Sequence, residues 1–322
     1  MTRIAAIDLG THNCRLMVAE RCGGGYKTLK ATSRIVRLGE GAGATGRLRP
    51  EAMTRTLGAL AEFAGIIRDH QAAEVRCVTT EACRRAENRE EFIGEIRDRC
   101  GLEFEIITEA EEVRLSALAT SSLIEARPGR VMTLDIGGGS TELVLLEFEN
   151  NIITVLDWRS LPLGVVRGRD AMTSPEVSRD EFDDMTRAAA RPMAAFFEKN
   201  AGFFSEDFQL IATSGTVTTL AALLENLSHY QRRRIDGLKC RVADLTSLAG
   251  KTALEPLSKR RANPLMGPDR AELMVPGCAI FSAIFSYIKA DFLTAADRGL
   301  REGIINSRLL DAPAVVFQKS RE

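Results

Sequence analysis

Apolar residues along this chain follow two periods, and the switches between them lay out the elements. Short apolar-rich runs predict strands over 4–9, 15–20 and 26–36. Met53, Leu57, Leu60, Ala64 and Ile67 then step by four and three, so 51–70 reads as an amphipathic helix. A buried strand over 75–80, a helix over 90–100 and a strand over 104–107 follow. Thr108 with Glu111 has the spacing of a capping box, opening a helix whose apolar face is Leu115, Leu118 and Ala119. Further runs predict strands over 131–136, 143–147, 152–156 and 159–163. Ser178 and Glu181 form a second capping-box pair, opening a helix to about Lys199 that Pro192 should kink. A strand over 209–213 leads into a helix over 217–224, and 273–288 reads as a largely apolar core helix. Leu300 to Ile304 reads as a polar break before a last apolar segment.

Strands alternating with helices indicate an α/β fold. The punctuation Arg127-Pro-Gly-Arg130 suggests a boundary. The expected organisation is a first domain over 1–126, a second over 127–312 and a frayed tail over 313–322.

The polar residues between the runs carry the chemistry. Asp135 to Glu147 reads DIGGGSTELVLLE, a hairpin whose turn offers consecutive backbone N–H groups. Such turns bind phosphate oxygens through Gly137, Gly138 and Gly139, with Ser140 and Thr141 adding hydroxyls. Asp135 and Glu142 flank the turn, where carboxylates can hold a divalent cation against phosphates. Asp8 to Glu20, DLGTHNCRLMVAE, repeats the pattern without a gap: Asp8 falls on Asp135, Gly10 on Gly137, Leu16 on Leu143 and Glu20 on Glu147. Gly10, Thr11 and Asn13 are the corresponding phosphate donors. His12, in the same turn, is expected to contact phosphate or fill space. Two such hairpins suggest two similar domains facing each other with phosphate between them. Ser214-Gly215-Thr216, between a strand and a helix, is a third anion-binding candidate through Gly215 and Thr216.

Composition narrows the class. With 322 residues and a formal net charge of −1, the chain has room for two domains and no global field for polyanions. No DNA partner is expected, and any polyanion must be met by local basic clusters. No apolar run is long enough to span a bilayer, and with a strand starting almost at once no signal peptide is expected. Seven cysteines with scattered spacing fit a reducing cytoplasm, so a cytoplasmic location is expected. Cys77 and Arg84 are separated by six residues rather than the five of a cysteine-phosphatase loop, and His12, His70 and His229 lack metal-ligand spacing. There is no Walker A loop and no GxGxxG.

AIDLGTHNCRL (6–16), TTEACRRAEN (79–88), EEVRL (111–115), DIGGGSTELV (135–144), LPLG (161–164), SGTVTTLAA (214–222), VPGCAI (275–280) and GLREGII (299–305) together resemble the exopolyphosphatase and guanosine pentaphosphate phosphatase family. The resemblance spans the chain in the family's order. It implies two actin-like (ribonuclease H-like) domains, each a mixed sheet with flanking helices, and a cleft between them. It also implies Mg²⁺-assisted hydrolysis of the terminal phosphate of inorganic polyphosphate or of guanosine pentaphosphate, and suggests a homodimer. The chain resembles the short, two-domain type. At the first turn, His12 and Cys14 depart from the family's amide and aromatic residues.

By that resemblance Glu112, not Glu111, is the base that activates water, and Arg84 is the arginine that reaches the terminal phosphate. Asp8, Asp135 and Glu142 would hold Mg²⁺ directly or through water, and Arg34 and Arg37 would line a channel for the leaving chain. Two other readings remain open at this point: a small-molecule kinase of the same fold group, and a polyphosphate- or alarmone-binding regulator with little turnover.

Overall fold

A computed structural model describes residues 2–125 and 129–318. The chain divides into two compact units, one formed by Met1–Ser122 with Arg298–Val315, the other by Leu123–Asp297 with Val316–Glu322. Each is an α/β unit with a mixed sheet and flanking helices, the class the sequence implies.

In the first unit, β1 (Arg3–Leu9), β2 (Asn13–Cys22), β3 (Gly25–Ile35), β4 (Glu74–Thr79) and β5 (Phe104–Ile106) form a sheet in the order β3-β2-β1-β4-β5. β1, β2 and β3 are antiparallel, while β4 and β5 run parallel to β1. The two-residue period of β1 splits its side chains between faces. Ala5, Ile7 and Leu9 enter a core with Leu57, Leu60 and Phe63 of the helix Pro50–Asp69. Ile4 and Ala6 enter another with Leu115 and with Ile304, Ile305 and Leu309. Asp8 shares the register of Ile4 and Ala6 and therefore lies on that second face.

In the second unit, β6 (Arg130–Ile136), β7 (Thr141–Glu149), β8 (Ile152–Leu161), β9 (Gln209–Ser214), β10 (Leu238–Arg241), β11 (Phe292–Ala296) and β12 (Ala314–Phe317) stand in the order β10-β11-β9-β6-β7-β8-β12. β6, β7 and β8 are antiparallel, and β9 and β11 continue parallel to β6. The succession β8-β7-β6-β9-β11 thus repeats β3-β2-β1-β4-β5 strand for strand, as the duplicated hairpin suggests.

Several expectations are corrected. The expected division assigns 298–312 to the second domain, but these residues group with the first unit because Ile304, Ile305 and Leu309 bury in its core. Leu300–Leu309 is a continuous helix, not a polar break: Arg301 and Glu302 pair with each other in its first turn. The two strands expected over 152–163 are the single strand β8, which crosses a bulge opposite Leu145/Leu146 without ending. Within the expected frayed tail, Ala314–Phe317 is the edge strand β12. The boundary expected at 127–130 falls partly on 126–128, which, like 319–322, lie outside the described residues.

The helix expected from Ser178 to Lys199 does break at Pro192. Arg179–Ala190 passes through a tighter turn, Arg191–Met193, into Ala194–Lys199. Its capping box is complete, with Glu181 N–H donating to Ser178 Oγ at 3.3 Å and Ser178 N–H to Glu181 Oε2 at 2.7 Å. At Thr108 only half of the box forms. Glu111 N–H donates to Thr108 Oγ1 at 3.2 Å, while the Glu111 carboxylate turns toward two arginines.

Candidate active site

In the first unit, β1 ends at Leu9 and β2 begins at Asn13, so Gly10, Thr11 and His12 make the turn. Gly10 N–H closes it on the Asn13 carbonyl at 2.9 Å. The segment after β3 then fastens the turn's carbonyls. His12 C=O accepts from Val36 N–H at 2.9 Å and Arg37 N–H at 3.0 Å, and Thr11 C=O accepts from Gly39 N–H at 2.9 Å. In a trans peptide the C=O and N–H point opposite ways, so these bonds turn the N–H groups of His12 and Asn13 to the other side. Arg37 takes φ 48° where the chain bends to make them, a region uncommon for a residue with a Cβ.

The second unit has the same device. Gly137 N–H closes the turn on Ser140 C=O at 2.9 Å. Val165 N–H donates to Gly137 C=O at 3.0 Å and Val166 N–H to Gly138 C=O at 2.9 Å, which turns the Gly138 and Gly139 N–H groups away from that segment. Thr141 Oγ1 donates to Leu163 C=O at 2.6 Å. Gly10 and Gly137 therefore shape their turns, while the residues after them offer the donors.

Two glycines that sequence reasoning did not place in the site make both devices fit. A Cβ at Gly164 would lie 2.3 Å from Gly138 O, and one at Gly39 would lie 2.3 Å from Thr11 Cγ2. The signal was available: Leu38-Gly39 after β3 and Leu163-Gly164 after β8 extend the internal repeat by one more strand.

The carboxylates divide unevenly between the units. Asp135 and Glu142 are direct cross-strand partners, and Glu142 Oε1 accepts from Ser160 Oγ at 2.9 Å. Asp8 instead faces Arg15 across its ladder. Part of Asp8 reaches solvent, yet enclosure by protein raises its pKa above the ordinary carboxylate value, with Arg15 and Arg301 opposing that rise. No group of three or more His, Cys, Asp or Glu side chains converges as a metal site among the described residues. Two hard carboxylates on one glycine-turn hairpin still fit Mg²⁺, which usually takes one or two carboxylates and completes its shell with water and phosphate oxygens.

Glu111 and Glu112 occupy different surroundings on the helix Glu109–Thr120. Arg114 Nε and Nη2 donate to the two Glu111 oxygens at 2.6 and 2.8 Å, and Arg76 Nη2 adds a contact at 2.9 Å. The Arg114 hydrogen bonds, seconded by Arg76, hold the Glu111 pKa below its ordinary value. Glu112 pairs with Arg84, whose Nη1 donates to Glu112 Oε2 at 3.1 Å and to the Ile107 carbonyl at 2.9 Å. Arg84 Nη2 is buried without a hydrogen-bond partner. Thr11 Oγ1 donates to Glu81 Oε2 at 3.4 Å, one turn of chain before Arg84.

Other candidates have local partners of their own. Thr216 is buried, its N–H donates to the Ser214 cap at 3.1 Å, and its hydroxyl packs where a Cβ on Gly277 would come within 2.2 Å. Of that turn, Gly215 remains the candidate donor. Arg34 is bound to Glu62, Thr32 and Ser33. Burial pushes the Cys77 thiol up to about 12 and the Cys83 thiol to about 11, so neither is a thiolate nucleophile near neutral pH. No helix of the described residues is long and apolar enough to cross a membrane.

The Ppx/GppA phosphatase family matches residues 17–312, and the chain belongs to that family. It is 30% identical over 329 residues to exopolyphosphatase 2 of Mycobacterium tuberculosis, covering 94% of this chain and 98% of that protein. The crystal structure of the Aquifex aeolicus Ppx/GppA family member superposes with a TM-score of 0.78 at 27% identity, over 96% of this chain and 97% of that one. An exopolyphosphatase from Cytophaga hutchinsonii shares the fold with a TM-score of 0.87 at 23% identity, over 96% and 98% of the two chains.

Proposed function

We propose that this chain is an exopolyphosphatase that releases the terminal phosphate of inorganic polyphosphate, and that guanosine pentaphosphate is a second substrate. The separation of Glu111 from Glu112 carries this reading. Two guanidiniums occupy Glu111 and hold its pKa low, while Glu112 pairs with Arg84, which keeps a further buried donor. A phosphoanhydride hydrolase needs a base for water, donors for the transferring phosphoryl group and a held leaving chain. Glu112 accepts the proton of the attacking water. Arg84 Nη2 donates to a terminal phosphate oxygen while Nη1 keeps Glu112 oriented. The outward N–H groups of the first turn bind phosphate oxygens, and the Gly138-Gly139 turn of the second unit is a cradle of the same build. Asp135 and Glu142 of the second unit are the residues that would hold Mg²⁺. When bound, the ion would neutralise charge on phosphate oxygens.

The test is Mg²⁺-dependent phosphate release by the wild type and by Glu112→Gln on long polyphosphate, short polyphosphate and guanosine pentaphosphate. Release by the wild type alone supports the mechanism, and the highest kcat/KM names the substrate. Equal release by Glu112→Gln removes Glu112 as the base. No release from any substrate overturns the hydrolase reading.

A further inference from the structure

We propose that the helix Leu300–Leu309 is a positioning element for Glu112, with Gly303 and Asn306 setting the register between the two helices. This rests on the reading of Glu112 as the hydrolytic base.

Gly303 meets the Glu112 helix backbone to backbone. A Cβ there would lie 2.0 Å from the Leu115 carbonyl oxygen, 2.8 Å from its carbon and 3.1 Å from its Cα. None of these atoms can rotate away. Leu115 follows Glu112 by three residues, so the contact lies one helical turn from the proposed base. One turn further along both helices, buried Asn306 donates from Nδ2 to the Leu118 carbonyl at 2.8 Å. Arg298 Nη1 then takes the Ala119 carbonyl at 3.3 Å and Ser122 Oγ at 2.6 Å.

The same helix is also tied to the sheet that carries the first phosphate turn. Glu302, 3% exposed, accepts from Gly299 N–H at 2.9 Å and Arg301 Nε at 3.0 Å. Arg301 Nη1 reaches the carbonyls of Leu16 on β2 at 3.5 Å and Thr32 on β3 at 3.4 Å. The helix is thus a rigid spacer: one side grips the strands behind the Gly10–Asn13 turn, and the other grips the backbone behind Glu112. Ordinary Cβ contacts begin near 3.4 Å, so a methyl group at Gly303 would move the Glu112 helix by about 1 Å or more. A misplacement of about 1 Å can cost about 10²-fold in rate.

The experiment compares steady-state phosphate release from polyphosphate by the wild type, Gly303→Ala and Asn306→Ser, each alone and with Glu112→Gln. Gly58→Ala, on an exposed helical position with open space around it, controls for an added methyl. Gly303→Ala should lower kcat about tenfold or more with KM held within twofold. It should lower the residual rate of Glu112→Gln no further, because the base it displaces is already gone. Asn306→Ser adds no bulk and covers the case in which Gly303→Ala fails to fold; it should show the same kcat-only pattern at smaller size. Unchanged kcat in the soluble variants, or equal losses with and without Glu112, overturns the positioning role and leaves the hydrolase reading standing. An inactive wild type overturns both.

Discussion

Arg84 binds Glu112 at 3.1 Å through one guanidinium nitrogen and leaves the other, Nη2, buried with no hydrogen-bond partner. A buried donor without a partner costs about 1–3 kcal/mol, which an incoming phosphate oxygen would recover. Arg84→Lys keeps the charge and loses the fork, so kcat for phosphate release should fall about tenfold or more. Glu112→Gln should fall by about 10²–10⁴. Glu111→Gln should retain turnover, and its complete loss there would reverse the assignment.

Gly164 and Gly39 should differ in tolerance. The obstacle to a Cβ at Gly164 is the Gly138 carbonyl, part of the cradle backbone, whereas at Gly39 it is the methyl of Thr11, which can turn. Gly164→Ala is expected to destabilise by about 1–3 kcal/mol and to raise KM for polyphosphate, and Gly39→Ala by less. Denaturant melts with matched kinetics check the order.

The Glu111 network makes a pH prediction. The folded pKa of Glu111 is lowered, first by Arg114, so its stabilisation is present above the unfolded value, near 4.5, and is lost as pH falls through the folded one. Glu111→Gln should be less stable than the wild type at pH 7, and the gap should close as pH falls below the unfolded value and through the lowered folded one. Urea titrations across that range measure it. A gap independent of pH would show that packing, not charge, is at stake.

Asp135 faces a carboxylate across its ladder and Asp8 faces Arg15. Asp135→Asn should therefore raise the Mg²⁺ concentration for half-maximal release by about tenfold, equivalent to about 1.4 kcal/mol, and Asp8→Asn should shift it less. Mg²⁺ titrations of the two variants check the ranking.

What was legible in the sequence was what repeats or caps locally. Asp8 to Glu20 against Asp135 to Glu147 announced two units of one design, and Ser178 with Glu181 announced its helix. What was missed depends on partners distant in the chain. Leu300 to Ile304 reads as polar because its Arg301–Glu302 pair is buried only against β2 and β3. β12 is too short for a period and exists as an edge on β8. The strand Leu238–Arg241 follows the turn dipeptide Asp236-Gly237 but is too short to show a period, and the helix Val242–Leu254 after it has no side-chain cap. At the site, Gly39 and Gly164 act by what a Cβ would strike, which spacing alone does not show.

The return of 298–315 to the first unit also bears on synthesis. Ile4, Ala6 and Met17 are made before the second unit, yet their core is completed by Ile304, Ile305 and Leu309, made after nearly all of it. While the ribosome is still at work, the second unit has its whole sheet apart from the β12 edge, and the first must wait with part of one face of its sheet uncovered. On this connectivity the usual order, amino-terminal unit first, should be inverted. A nascent chain stalled before residue 298 should present a folded second unit and an unfinished first one, the state in which chaperones or proteases would meet it.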